Sequence, residues 1–255
     1  MEFEGILTCR PALAIKNPSV HDFADCTFPG MFHADWTIEV ALTIDVISDV
    51  VCPWCFIGKR RLEVALRMYK AEGMSSPAIR WRPYQLSPSV PASGVDRDLF
   101  VTEQFGVVGR DRIYTRVKAI GRQVGIHFAF EKISRQPNSL AAHGLIALAE
   151  SYDNQCDVVE ALFNAFFVDC LDLTDDTVLL ALAVKAGLPE KAASAALASV
   201  EVHKRVIAEE LEARKLGVQG APLFIFNNKI ELSGAQEPEI LLQAMKDSNG
   251  DMAAA

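Results

Sequence analysis

The chain has 255 residues, of which 50% are hydrophobic and 23% are charged, and its formal net charge is −8. This length and composition are typical of a folded protein with one sizeable core or two modest ones. The acidic balance argues against nucleic acid as a partner, because proteins that bind phosphate backbones carry an excess of lysine and arginine. No apolar run approaches the roughly 18 residues that span a bilayer, which argues against a membrane partner as well.

The first part of the chain shows no sustained period, and we predict that residues 1–36 form an irregular extension. This segment starts with acidic residues, and Arg10, Pro11 and Lys16 interrupt its apolar stretch. A secretory signal has a basic start and an unbroken apolar stretch, so the cytoplasm is the predicted location. In that compartment closely spaced cysteines are more often catalytic or metal-binding than structural.

Three elements follow in chain order. Alternate residues over 36–46 are apolar, which predicts a strand with one buried face that ends near Asp49. The period then changes to that of a helix, which ends around Gly73. A second extended stretch covers residues 78–86, and Pro83 within it favours a sheet edge or a strand end. The apolar positions of the predicted helix are Leu62, Ala65, Leu66 and Tyr69.

The chain is then mostly helical until a final hairpin and helix. Two short apolar runs flank Asn227-Asn228, and this pattern predicts a β-hairpin because asparagine tolerates the positive φ angles of such turns. The two ends of the chain together predict one α/β unit, formed by residues 37–95 and 200–248. The residues between them, 96–199, are predicted to form an inserted all-helical domain.

The segment Cys52-Pro53-Trp54-Cys55 lies at the predicted junction between the first strand and the first helix. Free backbone N–H groups and the positive end of the helix dipole favour a thiolate at Cys52. The basic triplet Lys59-Arg60-Arg61 adds positive charge within two turns. The predicted chemistry is thiol–disulfide exchange, in which Cys52 forms a mixed disulfide with the substrate and Cys55 resolves it. No second pair of ligands stands at zinc spacing, so no metal is predicted.

A second segment, Gly217-Val218-Gln219-Gly220-Ala221-Pro222, brings a proline to the head of a buried strand. The residue types alone leave open whether the Ala221–Pro222 peptide bond is cis or trans. A cis bond would aim the backbone of Ala221 at whatever lies beside Cys52 and offer strand-like pairing to a bound peptide or thiol.

Several stretches of the chain match one known pattern. They are CPWC at 52–55 after Ser48-Asp49, FIGKR at 56–60, WRPYQLSP at 81–88, PNSLAAH at 137–143, GVQGAPLFIF at 217–226 and LSGAQ at 232–236. Together they resemble the DsbA family of thioredoxin-like proteins, and in particular its FrnE-like branch, over about 37–247. The resemblance implies a thioredoxin-like fold with an inserted helical domain, thiol–disulfide oxidoreductase activity, and a cis Pro222 that faces the cysteines.

The resemblance also implies which side chains contact the substrate beside the catalytic Cys52 and Cys55. Two of these positions have a structural alternative, because Asn138 or Ser139 can be the N-cap of a helix and His143 can be a helix residue at the seam between the domains. Asp49 also has two interpretations, a buried carboxylate that moves protons for Cys55 or simply the end of the strand. The predicted substrate-binding residues are Pro53, Trp54, Ala221, Pro222, Asn138 and His143.

Three functions stay open at this point. The first is a thiol–disulfide oxidoreductase or isomerase that acts on protein, peptide or glutathione disulfides, with no cofactor beyond its own disulfide and glutathione as a candidate cosubstrate. The second is a glutathione-dependent isomerase or a kappa-class-like glutathione transferase, since the inserted-helix scaffold also resembles 2-hydroxychromene-2-carboxylate isomerases. Those enzymes typically keep a serine where Cys52 stands, so the cysteine pair favours redox chemistry. The third is a non-catalytic binding module, against which the helix start at Cys52 argues.

Overall fold

The computed structural model describes residues 42–250 of the chain. Within that range, strands and helices alternate at both ends, and helices dominate the middle. In chain order the elements are β1 Thr43–Ser48, α1 Pro53–Ala71, β2 Ala78–Pro83, β3 Val95–Asp96, α2 Arg97–Gln123, a 3-10 helix Phe130–Lys132, β4 Arg135–Gln136, α3 Leu140–Glu150, α4 Gln155–Phe167, α5 Asp176–Lys185, α6 Glu190–Leu197, α7 Val200–Lys215, β5 Leu223–Phe226, β6 Ile230–Ser233 and α8 Pro238–Gly250.

A mixed four-stranded sheet in the order β2-β1-β5-β6 forms the centre of the molecule. β1 pairs parallel with β2 and antiparallel with β5, and β6 pairs antiparallel with β5. The first two of these strands precede the long helical segment and the last two follow it, so both ends of the described chain build one sheet. The predicted α/β class is confirmed, whereas the boundaries 37–95, 96–199 and 200–248 stay predictions.

The central strand β1 is buried on both faces, although its alternating sequence predicts only one buried face. Ile44 and Val46 belong to the main apolar core, and Ile47 belongs to a second cluster with Tyr84 and Leu223. The second face is covered because α7 packs on β2 from that side and brings Ala213 to the smaller cluster. The predicted strand residues before Leu42 lie outside the described residues.

Two turn predictions are confirmed. β2 is an edge strand and ends at Pro83, as expected for a residue that lacks a backbone N–H. The hairpin between β5 and β6 turns at Asn227 and Asn228, whose φ angles are 50° and 54°. The N–H of Lys229 donates to the carbonyl oxygen of Phe226 at 2.9 Å and closes the turn.

The long helical segment differs from the all-helical prediction in one detail. β3 and β4 form a short antiparallel ladder, in which Val95 pairs with Gln136. This ladder precedes α2, a helix that bends at Gly106, where the φ angle of +67° favours glycine.

Aromatic side chains join the sheet region to the helical segment. The ring of Phe56 on α1 stacks on Phe163 of α4 with centroids 5.0 Å apart, and it meets Phe128 edge-on at 6.1 Å. These residues belong to one continuous apolar core. The first helix, which carries the cysteine pair, is therefore anchored in the helical segment as well as in the sheet. Among the described helices, none is long and apolar enough to cross a membrane.

Candidate active site

Cys52 stands at the N-cap of α1, shortly after β1 ends. Its backbone is extended, with φ −94° and ψ 111°, and Pro53 follows at the first helical position, where a missing N–H costs no hydrogen bond. The N–H of Cys55 donates to the Cys52 carbonyl oxygen at 3.1 Å and closes the first turn. The Cys52 side chain thus meets the positive end of the helix dipole, which is the position that the sequence predicts.

The backbone of Ala221 lies against the thiol of Cys52. The Cys52 Sγ is 3.6 Å from the carbonyl oxygen of Ala221, and the Ala221–Pro222 peptide bond is cis. Strand pairing produces this contact, because β5 begins directly after Pro222 and pairs Leu223 with Ile47 near the end of β1. Two of the segments that carry the sequence resemblance, 52–55 and 217–226, therefore meet at one point.

Gly58 allows α1 to pack closely on the segment around Pro222. A Cβ atom at Gly58 would lie 3.1 Å from Cζ of Phe224 and 3.3 Å from Cγ of Pro222. This contact was not predicted from the sequence, although a glycine in a helix interior costs about 1 kcal/mol relative to alanine and so signals a packing constraint.

Cys55 is buried behind Cys52, and both side chains are free thiols. Burial raises the pKa of the Cys55 thiol well above its usual value, and a hydrogen bond and the charge of Cys52 raise it further. The backbone of Asp49 and the side chain of Ser48 act in the opposite direction by hydrogen bonding. Cys55 is consequently held as a neutral thiol beside Cys52. Ser48 was not predicted as a site residue, although Ser48-Asp49 belongs to the stretch that carries the sequence resemblance.

The basic triplet does not supply unpaired charge to Cys52, contrary to the sequence expectation. Lys59 is buried and forms ion pairs with Glu63 and, at 2.6 Å, with Glu160. Arg60 pairs with the same two carboxylates. The third member of the triplet, Arg61, binds Glu237 at 2.6 Å. These charges hold α1 to α4 and to the start of α8, because their partners lie on those elements or next to them.

Asp49 and His143 form a buried pair of side chains next to the cysteine motif in the fold. The Asp49 carboxylate is fully buried and accepts hydrogen bonds from the N–H of Leu86 at 2.7 Å and of Val51 at 3.4 Å. The Nε2 atom of His143 lies 3.5 Å from Oδ1 of Asp49, and His143 is only 3% exposed. The ring of His143 also lines a cavity of about 220 Å³ between β2, α3 and α7, whose lining does not include Cys52 or Ala221.

Asn138 is engaged in local hydrogen bonds at the start of α3. Its Oδ1 accepts from the N–H of Leu140 and from Nε2 of Gln85, both at 2.9 Å. Its Nδ2 donates to the carbonyl oxygen of Val90 at 2.6 Å. Asn138 therefore connects the helix start to the loop after β2, and the N-cap of α3 is the adjacent Ser139, the other residue of the structural alternative. A role of Asn138 or His143 in substrate binding stays a prediction.

Pro53 and Trp54 are half-buried at the mouth of the site. The guanidinium of Arg116 on α2 lies over the Trp54 ring, 5.7 Å from its centroid. Nothing in the sequence predicts this contact, because the two residues are far apart in the chain. No group of three or more His, Cys, Asp or Glu side chains is arranged to hold a metal ion within the part of the chain that the structure describes.

A cysteine pair at the start of a helix, placed after a central strand and facing a cis-proline that precedes the neighbouring strand, defines a thioredoxin-like protein. The profile of the DSBA-like thioredoxin domain matches residues 43–246. The chain therefore belongs to the DsbA-like family, which confirms the resemblance seen in its sequence. That family implies a thiol–disulfide oxidoreductase.

Relatives and solved structures are consistent with this assignment. The chain is 25% identical over 207 residues to the uncharacterized protein YwbO of Bacillus subtilis, covering 80% of this chain and 96% of that protein. It superposes with a TM-score of 0.75 on a probable DsbA oxidoreductase from Streptomyces coelicolor, at 26% identity, covering 82% of this chain and 91% of that one. The fold is shared with the cytosolic disulfide reductase DsbM from Pseudomonas aeruginosa, solved with GSH, at 18% identity and a TM-score of 0.56, covering 83% and 98% of the two chains.

Proposed function

We propose that this protein is a thiol–disulfide oxidoreductase or isomerase in which Cys52 is the nucleophile and Cys55 is the resolving cysteine. The observation that carries the proposal is the 3.6 Å contact between Cys52 Sγ and the carbonyl oxygen of Ala221. This contact brings the first cysteine to a backbone edge where an extended peptide or a small thiol can pair. Pro53, Trp54, Ala221 and Pro222 then surround the sulfur of the bound substrate.

The proposed reaction has two exchange steps. The Cys52 thiolate attacks one sulfur of a substrate disulfide, which forms a mixed disulfide and releases one substrate thiolate. Cys55 then loses its proton and attacks Cys52 Sγ, which forms the Cys52–Cys55 disulfide and releases the second thiolate. Two electrons pass from the cysteine pair to the substrate, and the released thiolates take up the protons. The same steps in reverse reduce the Cys52–Cys55 disulfide.

The raised pKa of Cys55 supports this division of roles. A buried neutral thiol is a poor nucleophile toward external disulfides and does not compete with Cys52 for substrate. It becomes effective only when a mixed disulfide on Cys52 lies beside it. An enzyme that used glutathione for isomerisation or transfer would have no need of Cys55, so the pair favours redox chemistry.

We further propose that the reaction takes place in the cytoplasm with glutathione as a cosubstrate, and that no other cofactor takes part. The likeness in fold to a cytosolic disulfide reductase solved with GSH is compatible with it. Assignment to the FrnE-like branch rests on the sequence stretches quoted above.

The test is the redox equilibrium of the cysteine pair in a series of glutathione buffers, measured by thiol alkylation and mass spectrometry. We expect a reversible two-electron transition, loss of all turnover in Cys52→Ser, and accumulation of mixed disulfides in Cys55→Ser. Absence of an intramolecular disulfide at every glutathione ratio contradicts the redox proposal. An equal and mild loss of turnover in both variants contradicts the division of roles between Cys52 and Cys55.

A further inference from the structure

Arg116 is a cation held close to the cysteine motif by a contact with an aromatic ring, and it has no ion-pair partner among residues 42–250. Its guanidinium lies 5.7 Å from the centroid of the Trp54 ring, and Trp54 stands between the two cysteines. The Arg116 side chain is exposed, while the Trp54 ring is half-buried. A guanidinium over an aromatic face is fixed in place by the ring and keeps its N–H donors free for a ligand.

The electrostatic surroundings distinguish Arg116 from the other basic residues near the site. Lys59, Arg60 and Arg61 all form ion pairs with glutamates. Arg116 has no carboxylate within 4 Å anywhere in residues 42–250. Arg116 is therefore a positive charge at the mouth of the site without an ion-pair partner among the described residues, in a chain whose net charge is −8. Such a charge attracts anions to the site and repels cations from it.

We propose that Arg116 makes the site selective for anionic thiols and disulfides, by binding a carboxylate of the substrate while its sulfur approaches Cys52. The chemical class is a small thiol with carboxylates a few bonds from its sulfur, of which glutathione is one example. The inference rests on the proposed function and adds a specificity residue to it. Arg116 takes no part in bond making, and it does not touch the reacting sulfur atoms.

The test compares three disulfides that differ in charge. Reduced protein is mixed with oxidised glutathione, with neutral bis(2-hydroxyethyl) disulfide or with cationic cystamine, and the rate of formation of the Cys52–Cys55 disulfide is measured by quenched alkylation. We expect Arg116→Gln to slow the reaction with oxidised glutathione about two- to fivefold. The rate with the neutral disulfide stays unchanged, and the rate with cystamine stays unchanged or rises. Arg116→Glu is expected to slow the reaction with oxidised glutathione further and to speed the reaction with cystamine. A salt concentration of 1 M removes these rate differences between the proteins, because the screening length falls to about 3 Å.

Arg67→Gln is the matched control. Arg67 is exposed on the same helix as Trp54, about 20 Å further along its axis, and has no ion-pair partner among the described residues. This variant removes the same net charge and is expected to react like the unmodified protein with all three reagents. An equal change with all three reagents in Arg116→Gln, or no change with any, overturns the proposal. A fall of the same size in Arg67→Gln overturns it too, since net charge alone then explains the effect.

A second measurement separates this inference from the proposed function. Binding of S-methylglutathione, which cannot exchange disulfides, is measured by calorimetry for the unmodified protein and for Arg116→Gln. Weaker binding in the variant supports the charge selection even if no redox reaction occurs, in which case only the proposed function fails. A redox reaction that proceeds with identical binding and identical charge preference in both proteins overturns the role of Arg116 alone.

Discussion

The imidazole Nε2 of His143 lies 3.5 Å from the Oδ1 atom of Asp49, and both side chains are buried. His143 belongs to α3 of the helical segment, whereas Asp49 directly follows β1 and precedes the cysteine motif. The Asp49 carboxylate also accepts the N–H of Leu86 after β2. One buried carboxylate thus connects the start of the active-site helix, the loop after the edge strand and the helical segment.

Asp49→Ala is expected to lower the free energy of unfolding by about 2–3 kcal/mol, because it leaves the backbone N–H groups of Val51 and Leu86 without their acceptor and removes the buried carboxylate beside His143. Asp49→Asn keeps an acceptor oxygen and is expected to cost about 1 kcal/mol. Urea denaturation of the reduced proteins measures both values. Losses below about 0.5 kcal/mol in Asp49→Ala would contradict the connecting role.

Cys55 is expected to stay protonated at a pH where ordinary cysteines, with a pKa of about 8.5, are ionised. Burial is the main cause of its raised pKa, so the effect persists in Cys52→Ser, where the hydrogen bond and charge of Cys52 are absent. The thiolate absorbance is measured against pH for Cys52→Ser and for the double variant that also carries Cys55→Ser. The difference between the two curves reports the ionisation of Cys55 alone. A titration at or below the ordinary value would contradict the burial argument.

The same raised pKa has a consequence for stability. Cys55 binds its proton more tightly in the folded than in the unfolded chain, so its contribution is present below about pH 8.5 and is lost as the pH rises further. The reduced protein is therefore expected to lose stability in alkali faster than Cys55→Ser, which urea denaturation between neutral and alkaline pH measures. If the free energy of unfolding falls equally with pH in the two proteins, groups other than Cys55 cause the alkaline destabilisation.

Gly58→Ala is expected to lower both stability and turnover. The added methyl would press on Phe224 and Pro222, and overpacking of this kind costs about 1–3 kcal/mol. Gly220→Ala is the control, since a Cβ at Gly220 meets no atom within 4 Å although this residue is close to Pro222 in the chain. Thermal unfolding and the glutathione-dependent turnover are measured for both variants. Equal effects of the two substitutions would show that the close approach of α1 to Pro222 is not the cause.

Glu160 anchors the active-site helix to α4. Burial alone would raise the pKa of this carboxyl group, but hydrogen bonds and charges of Arg60 and Lys59 outweigh burial and lower it to about 2. Because the folded pKa is depressed, the stabilisation is present above the ordinary glutamate pKa of about 4.3 and is lost as the pH falls toward 2.

Glu160→Gln is expected to lower the free energy of unfolding at pH 7 by about 1–2 kcal/mol, a value reduced for partial solvent exposure. The difference from the unmodified protein should shrink as the pH falls below about 4. Urea denaturation at pH 7, 5 and 3 measures it. A difference that is independent of pH would mean that the substitution acts through packing and not through the ion pairs. Glu201→Gln on α7 is the control, because Glu201 is exposed and its one ion-pair partner within residues 42–250 is the exposed Lys204. Its removal is therefore expected to change stability little.

Local sequence patterns were sufficient to predict the elements that position the site. Apolar alternation predicted β1, Pro83 predicted the end of the edge strand, and the paired asparagines predicted the hairpin. The cysteine motif was correctly expected at a strand-to-helix junction. These features depend on the period of side-chain burial and on turn chemistry, which act over a few residues and can be seen in one sequence.

Contacts between distant segments were decided only by the tertiary structure. The sequence showed a basic triplet after Cys55 but not that the distant Glu160 and Glu237 pair with it. The meetings of Cys52 with Ala221, of Asp49 with His143 and of Trp54 with Arg116 follow from strand register and helix packing. The sequence by itself determined the family and the position of the cysteine pair, because closely spaced cysteines at a strand-to-helix junction are a local motif. Only the fold determined which charges, donors and acceptors surround that pair, because these come from residues that packing brings together from far apart in the chain.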